Sequence, residues 1–424
     1  MRLLVYSHDT FGLGHLRRCR TIAHHLVDTR PDVSVLILSG SPIIGSFGFR
    51  SRVDYVRFPG VVKHKNGGYT ADGLDISIED AIAMRETIIR SVAGAFDPHM
   101  FLVDKEPLGL RGEVEPTLKL LKENGTRLVC GLRDILDDEE MLREEWDRKG
   151  AMAALEDYYD DIWVYGRPEV CDPLAGLDAP ESVRAKMTYT GYLRRESTQL
   201  TDLSEETQFD APYVLVTTGG GGDGSDLVDL VLQAYETDPT IPINALIVTG
   251  PFMRRDSQFN FRNRAERLPR VRVIPFSANL EHLILRSQGV VGMGGYNTFC
   301  EILSFDKPSI IVPRTVPRLE QFIRASRMQE MGLVRMQRYD QPDGARAMAR
   351  GIRELERQSP PSHRMPGGFL DGLSVISQSV PSPGDLRELE SAERGDGDPR
   401  EDAAHTAVRD GSGAMSDLRL VPSS

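Results

Sequence analysis

The stretch Val290–Leu303, VVGMGGYNTFCEIL, constrains this chain more than any other. A short apolar run, Gly289-Val290-Val291, meets glycines at 292, 294 and 295, and an amphipathic helical pattern begins near Asn297. Strand, glycine turn and helix follow in that order. The first N–H groups of such a helix have no intrahelical acceptors and sit at the positive end of its dipole. The turn therefore suits a phosphate, and its glycines let an anion come close to the backbone. Glu301 lies about one turn inside the helix, too far in to act as a cap, where its carboxylate can accept hydrogen bonds from a sugar diol. The competing readings are a turn that only packs a helix on a sheet, and an ordinary surface glutamate.

The same alternation recurs along the chain. Arg2–Tyr6 is an apolar run, Leu16, Ile22, Ala23 and Leu26 recur at helical spacing, and VSVLILSG at 33–40 completes a strand, loop, helix, strand unit. That unit opens a parallel α/β sheet. Residues 61–77 read as a long loop before a helix over about 78–95. His99–Val103, Thr126–Gly131 and Ile162–Tyr165 read as further strands. Polar residues stand at or just beyond two of them, Asp104, Lys105 and Glu106 after the first, Arg133 and Asp134 after the second. Positions past the carboxyl ends of parallel strands are where α/β folds place ligands, so Asp104 and Glu106 are candidates for the acceptor side of a site.

At 424 residues the chain exceeds the size at which single cores stop growing, which predicts two domains. The polar, acidic stretch 201–211 reads as the linker, giving an α/β domain over 1–200 and a second over 212–381. The second series starts with YVLVT at 213–217 and continues through INALIVT at 243–249, VRVIPF at 271–276, the stretch at 290 and SIIVP at 309–313, with a final helix over about 369–380. Residues 382–424 are rich in Ser, Gly, Asp, Glu and Arg and predict a disordered tail.

A net charge of -12 argues against non-specific nucleic-acid binding, so an anionic ligand needs a focused site. The four cysteines, Cys19, Cys130, Cys171 and Cys300, lack metal-ligand spacing and predict reduced thiols in a cytoplasmic protein. No apolar run approaches the roughly 18 residues of a membrane span, and His8 and Asp9 follow the first apolar run too soon for a secretory leader. The apolar segment SPIIGSFGF at 41–49 fits a packed connection, or a surface for an apolar acceptor or for peripheral membrane contact.

Two glycine loops invite nucleotide readings of other kinds. Gly12 and Gly14 begin a dinucleotide fingerprint, but Arg17 stands where its third glycine belongs and the second strand ends Leu38-Ser39-Gly40 without an acid. Glycines 219–222 lack the Lys-Ser/Thr pair of a P-loop. Asp223 and Asp226 could bind a metal or stabilise a helix dipole, and the dipole reading is preferred. Arg17, Arg18 and Arg20 on the first helix, and Arg254 with Arg255 after Gly250-Pro251, read as solvated faces, with a phosphate clamp as the alternative for Arg254. His15, at the first turn of a helix, is either a general base or a histidine bonded to backbone.

These pieces together resemble the family 28 glycosyltransferases, the MurG-like group of GT-B fold. The resemblance is carried by FGLGHLRR near the amino terminus, by LVTTGGGG, GPFM and PFSANLEHL, by GMGGYNTFCEIL, and by KPSIIVPR with EQFIRA, over roughly 10–331. It implies two Rossmann-like domains facing a cleft, the second holding a nucleotide sugar and the first an acceptor. It would give Glu301 the ribose hydroxyls and Gly294, Gly295 and Thr298 the diphosphate, with Gly14, Gly219 and Gly220 as further glycine-loop contacts. The backbone near Phe276 would meet the base, and Glu320 and Gln321 the donor sugar. Tyr296 and Asn297 stand where the family often has a small hydroxyl or a second acid.

The expected reaction moves a sugar from a nucleotide sugar, UDP-type, to an acceptor hydroxyl with inversion, with His15 as base. No Asp-x-Asp suited to a metal is found, so transfer is expected to need neither metal nor cofactor. The rival readings are a nucleotide-sugar epimerase or hydrolase on the same scaffold, and a non-catalytic nucleotide-sugar sensor. The acceptor and the oligomeric state stay open.

Overall fold

The computed structural model describes residues 1–8, 13–63, 68–196 and 212–382. The expected linker over 201–211 and all but the first residue of the expected tail over 382–424 lie outside the described residues, as do Phe11 and Gly12 of the first glycine loop.

The apolar runs of the first half become a seven-stranded parallel sheet. Its strands are β1 (Arg2–Ser7), β2 (Ser34–Ser39), β3 (Val53–Arg57), β6 (Met100–Asp104), β7 (Arg127–Arg133), β8 (Asp161–Tyr165) and β9 (Met187–Tyr189), in the order β3-β2-β1-β6-β7-β8-β9. Leu3, Leu4, Val5 and Tyr6 of β1 are all fully buried. That fits a central parallel strand covered by helices on both faces, which reads as a continuous apolar run rather than an alternating one.

The second half builds a six-stranded parallel sheet from β10 (Tyr213–Thr217), β11 (Asn244–Val248), β12 (Val271–Ile274), β13 (Gly289–Gly292), β14 (Ser309–Ile311) and β15 (Arg335–Met336), in the order β12-β11-β10-β13-β14-β15. The two sheets form the cores of a first and a second lobe. In each, the order reverses beside the first strand, between β1 and β6 and between β10 and β13. Open α/β sheets bind ligands in the crevice at such a switch point.

Three segments depart from or refine the sequence reading. The loop expected over 61–77 contains an antiparallel ribbon, β4 (Gly60–Lys63) with β5 (Tyr69–Asp72), because Val61 and Val62 pair in register with Ala71 and Thr70. Residues 64–67 lie outside the described part. The segment 41–49 packs inward, with Ile44 and Phe47 buried beside Leu13 and Leu16. Finally, the helix Gly372–Ser379 lies against the helix Gly14–Thr29 of the first lobe, with Thr29 Oγ1 and Ser377 Oγ at 3.1 Å and Arg30 Nη1 donating to the Val380 carbonyl at 3.0 Å. Phe369 stacks on Tyr192 at 4.9 Å, so the end of the second series covers the first lobe. Residues Met1–Val380 form one compact unit.

Candidate functional site

The helix Gly14–Thr29 starts at the switch point of the first sheet, and residues three apart on a helix share a face, so His15 and Arg18 both reach Asp104 at the end of β6. Arg18 Nε donates to Asp104 Oδ1 at 2.8 Å and Arg18 Nη2 to Oδ2 at 2.5 Å, a bidentate pair with both partners buried. Burial alone would raise the Asp104 carboxyl, but the Arg18 charge and the His15 contact outweigh it and hold it below the usual carboxylate range.

His15 Nδ1 stands 2.5 Å from Asp104 Oδ2, a separation that needs a proton between them. Burial lowers the imidazole to about 4 against the upward pull of Asp104, so the ring is neutral near pH 7. Nδ1–H then donates to Asp104, and Nε2 carries the lone pair. His8, buried next to it with ring centroids 5.5 Å apart, is likewise pushed down by burial. Glu106 turns away into a charge network, accepting from Lys105 Nζ at 2.9 Å and Lys149 Nζ at 2.7 Å.

In the second lobe, Gly221 at φ +88° lies so close to the Thr249 carbonyl that a Cβ would collide with it. Only glycine lets the loop after β10 nest against the loop after β11. Gly295 caps the start of the helix Tyr296–Ser304, and a Cβ there would meet nothing within 4 Å, so this backbone faces open space.

Glu301, in the second turn of that helix, is fully buried rather than on the surface. Arg17, reaching across from the first lobe, places Nη2 2.5 Å from Glu301 Oε1 and 2.7 Å from Glu281 Oε1. The Glu301 contact is close but poorly aligned, since neither of its carboxylate oxygens makes a well-formed hydrogen bond. Burial raises the Glu301 carboxyl to about 7, with Arg17 pulling down and Glu281 pushing up. Other bonds join the lobes close by. Asn297 Nδ2 donates to the Gly14 carbonyl at 3.0 Å, Arg195 Nη2 to Asn297 Oδ1 at 2.6 Å, and Arg324 bidentately to Asp134 at 2.8 and 2.6 Å.

Between the carboxyl ends of the two sheets lies a cavity of about 180 Å³. Of the residues singled out in the sequence, Gly14, Gly219, Gly220, Gly295, Thr298, Glu320 and Gln321 line it. His15 and Asp104 are next to the lining residues Gly14 and Arg18 but do not line it themselves, and Glu106, Gly294 and Glu301 are also behind its wall. Gly294, at φ +83°, instead packs toward Ile311 and Phe299. Arg254 is not a clamp in this arrangement. Its side chain is 84% exposed and is paired only loosely with Asp256 at 3.7 Å. Phe276 meets Phe47 edge to face at 6.3 Å, in the same apolar cluster as the lining residue Phe252.

Four arginines are among the lining residues that sequence reasoning did not assign to the site. Arg17 and Arg18, read as a solvated face, are drawn inward by Glu281, Glu301 and Asp104. Arg314, just past β14, pairs with Asp223 at 2.8 Å and with Glu320 at 2.8 Å. Asp223 therefore answers a guanidinium, which neither the metal nor the dipole reading anticipated. Arg133 ends β7, and its place after a strand was the one signal that could have found it. Among the described residues, no three His, Cys, Asp or Glu side chains converge to hold a metal ion.

Residues 214–362, from β10 past β15, match the family described as "Glycosyltransferase family 28 C-terminal domain". The second lobe thus matches the carboxy-terminal domain of family 28 glycosyltransferases. An "Uncharacterized glycosyltransferase" of Methanosarcina acetivorans is 28% identical over 167 residues, 39% of this chain and 41% of that protein. The "UDP-N-acetylglucosamine--N-acetylmuramyl-(pentapeptide) pyrophosphoryl-undecaprenol N-acetylglucosamine transferase" of Alkaliphilus metalliredigens is 21% identical over 136 residues, 31% of this chain and 37% of that protein. The chain thus spans about two fifths of the length of these curated relatives. MurG of Acinetobacter baumannii superposes with a TM-score of 0.54 at 10% identity, covering 89% of this chain and 99% of its own. The likeness extends the GT-B fold over both lobes.

Proposed function

We propose that this protein transfers a sugar from a nucleotide sugar, UDP-type, to an acceptor hydroxyl, with inversion and without a metal ion. The observation that carries the reading is the meeting of two switch points at one cavity. One side offers glycine-loop amides and a helix start, and the other offers the His15–Asp104 pair beside it. The Alkaliphilus relative, an N-acetylglucosamine transferase named for a UDP-linked donor, supports a UDP donor. Four free cysteines support the cytoplasmic placement, and no described helix is long and apolar enough to cross a membrane.

In this reading the acceptor oxygen attacks the anomeric carbon from the face opposite the nucleotide as its proton passes to His15 Nε2. The bond from the anomeric carbon to the phosphate oxygen breaks, and the electron pair leaves with the nucleoside diphosphate. Asp104, held by Arg18, keeps the imidazole oriented and stabilises its charged form. The amides at Gly219, Gly220 and Gly295 take the charge of the departing diphosphate, work that a metal ion does elsewhere. Glu320 and Gln321, which line the cavity, contact the donor sugar. Glu301 takes the ribose hydroxyls once Arg17 withdraws to Glu281, and the backbone near Phe276 meets the base. The first lobe holds the acceptor.

The test is release of nucleoside diphosphate from UDP, GDP, ADP and dTDP sugars, with and without pooled hydroxyl acceptors, in the presence of a chelator. Acceptor-dependent release from one donor class is the expected result. Free sugar or an epimer formed without acceptor would assign the scaffold to hydrolysis or epimerisation instead.

A further inference from the structure

Four arginines line the cavity, and three of them are already committed. Arg17 bridges Glu281 and Glu301, Arg18 holds Asp104, and Arg314 holds Asp223 and Glu320. Arg133 differs. It is the last residue of β7 in the first lobe and lines the cavity together with the glycine loop of the second, and its side chain makes no hydrogen bond or ion pair with any described residue. Its Nε is buried with no acceptor.

An unmatched guanidinium in such a place is costly, because burial removes hydration that nothing in the protein replaces. Its surroundings relieve it only in part. Burial lowers it to about 10 against the upward pull of Glu320, with Arg324 and Arg18 adding to the fall. Glu320 in turn has one carboxylate oxygen bonded to Arg314 and the other, Oε2, unpartnered. Arg133 thus lines the space between the lobes without a hydrogen-bonded counter-ion, Glu320 being its strongest charge influence. The planar fork of a guanidinium matches the paired oxygens of phosphates and carboxylates.

We propose that Arg133 is an oxyanion-binding residue of this cavity, seating a phosphate-type group against the glycine loop 219–222 from the opposite lobe. The inference rests on the transferase reading only in naming the source of that group, either the diphosphate of the donor or an acidic group of the acceptor.

The test compares the full chain with Arg133→Gln and Arg133→Lys, using inorganic pyrophosphate as probe and calorimetry with thermal shift as readouts. The expected result is that Arg133→Gln weakens pyrophosphate binding by roughly ten- to a hundredfold. Arg133→Lys should recover part of the loss and keep the ligand-free melting temperature of wild type, because it retains the charge near Glu320. Absent pyrophosphate binding, or equal binding in wild type and Arg133→Gln, would overturn the assignment. So would a Gln variant that melts lower and binds unchanged, which would make Arg133 structural. Repeating the titration with the tightest nucleoside diphosphate at saturation separates the sources. Competition assigns the anion to the donor, and Arg133-dependent binding without competition assigns it to the acceptor. If no nucleoside diphosphate binds more tightly than pyrophosphate, the transferase reading fails while Arg133 is still judged by its own titration.

Discussion

Arg17 of the first lobe covers the carboxylate of Glu301 in the second, Nη2 to Oε1 at 2.5 Å, with the glutamate fully buried. The group expected to receive a ribose is thus occupied by a cation 284 positions away in sequence (301 − 17). Glu281 offers that cation a second place to stay, at 2.7 Å, when a diol arrives. A carboxylate bonded to two hydroxyls is worth roughly 10- to 150-fold in affinity, so Glu301→Gln should weaken UDP binding by that factor. Unchanged affinity, measured by calorimetry, would remove Glu301 from the ribose site.

The same pair makes stability depend on pH. The folded Glu301 carboxyl is raised by burial to about 7, from an ordinary 4.5. A raised carboxyl stabilises the fold fully below its unfolded value, and that contribution is lost as pH rises through about 7. Urea unfolding at pH 5, 6, 7 and 8 should therefore show wild type losing on the order of 2–3 kcal/mol from this group. Glu301→Gln should flatten that slope, and a slope left intact in the variant would refute the assignment.

His15 should matter to turnover and little to binding. A general base contributes about 10² to 10⁴ in rate, so His15→Ala should lower kcat by that range while the Kd for nucleotide moves by less than about threefold. A variant that loses affinity and turnover together would point to a structural histidine.

Because burial holds His15 near 4, the acid limb of the kcat profile should lie well below the 6.5 of an ordinary histidine. The base form is the active one, so activity should persist as pH falls to about 5 and then decline. An acid limb centred near 6.5 would mean that the working imidazole is not buried as described.

Arg324 and Asp134 join the lobes through a fully buried bidentate pair to which Tyr192 also donates, at 2.8 Å. Removing one partner leaves a buried charge alone, so Arg324→Met should cost roughly 3–5 kcal/mol. The double variant Arg324→Met, Asp134→Asn should be more stable than Arg324→Met alone. Additive losses in that cycle would show that the pair does not couple the lobes.

The alternation of apolar runs with helical periodicity determined, from the sequence alone, two parallel sheets, most of their strands and the glycine turns at their carboxyl ends, but not the edge strands β3 and β15. These are local signals, written within a few residues of one another, as in Gly292–Gly295 followed by Tyr296–Ser304. The glycines 14, 219, 220 and 295 were legible for that reason, Thr298, Glu320 and Gln321 through the family resemblance, and all of them line the cavity. What only the tertiary structure decided is which charges meet. Arg17 was read as solvated because Glu281 and Glu301 are nowhere near it in the chain, and Arg254 carried a clamp as its alternative reading although no carboxylate or cavity draws it inward. Where the chain runs between strands fixes backbone direction. Which guanidinium is neutralised and which, like Arg133, is left facing the cavity depends on long side chains crossing between lobes, and no local pattern encodes that.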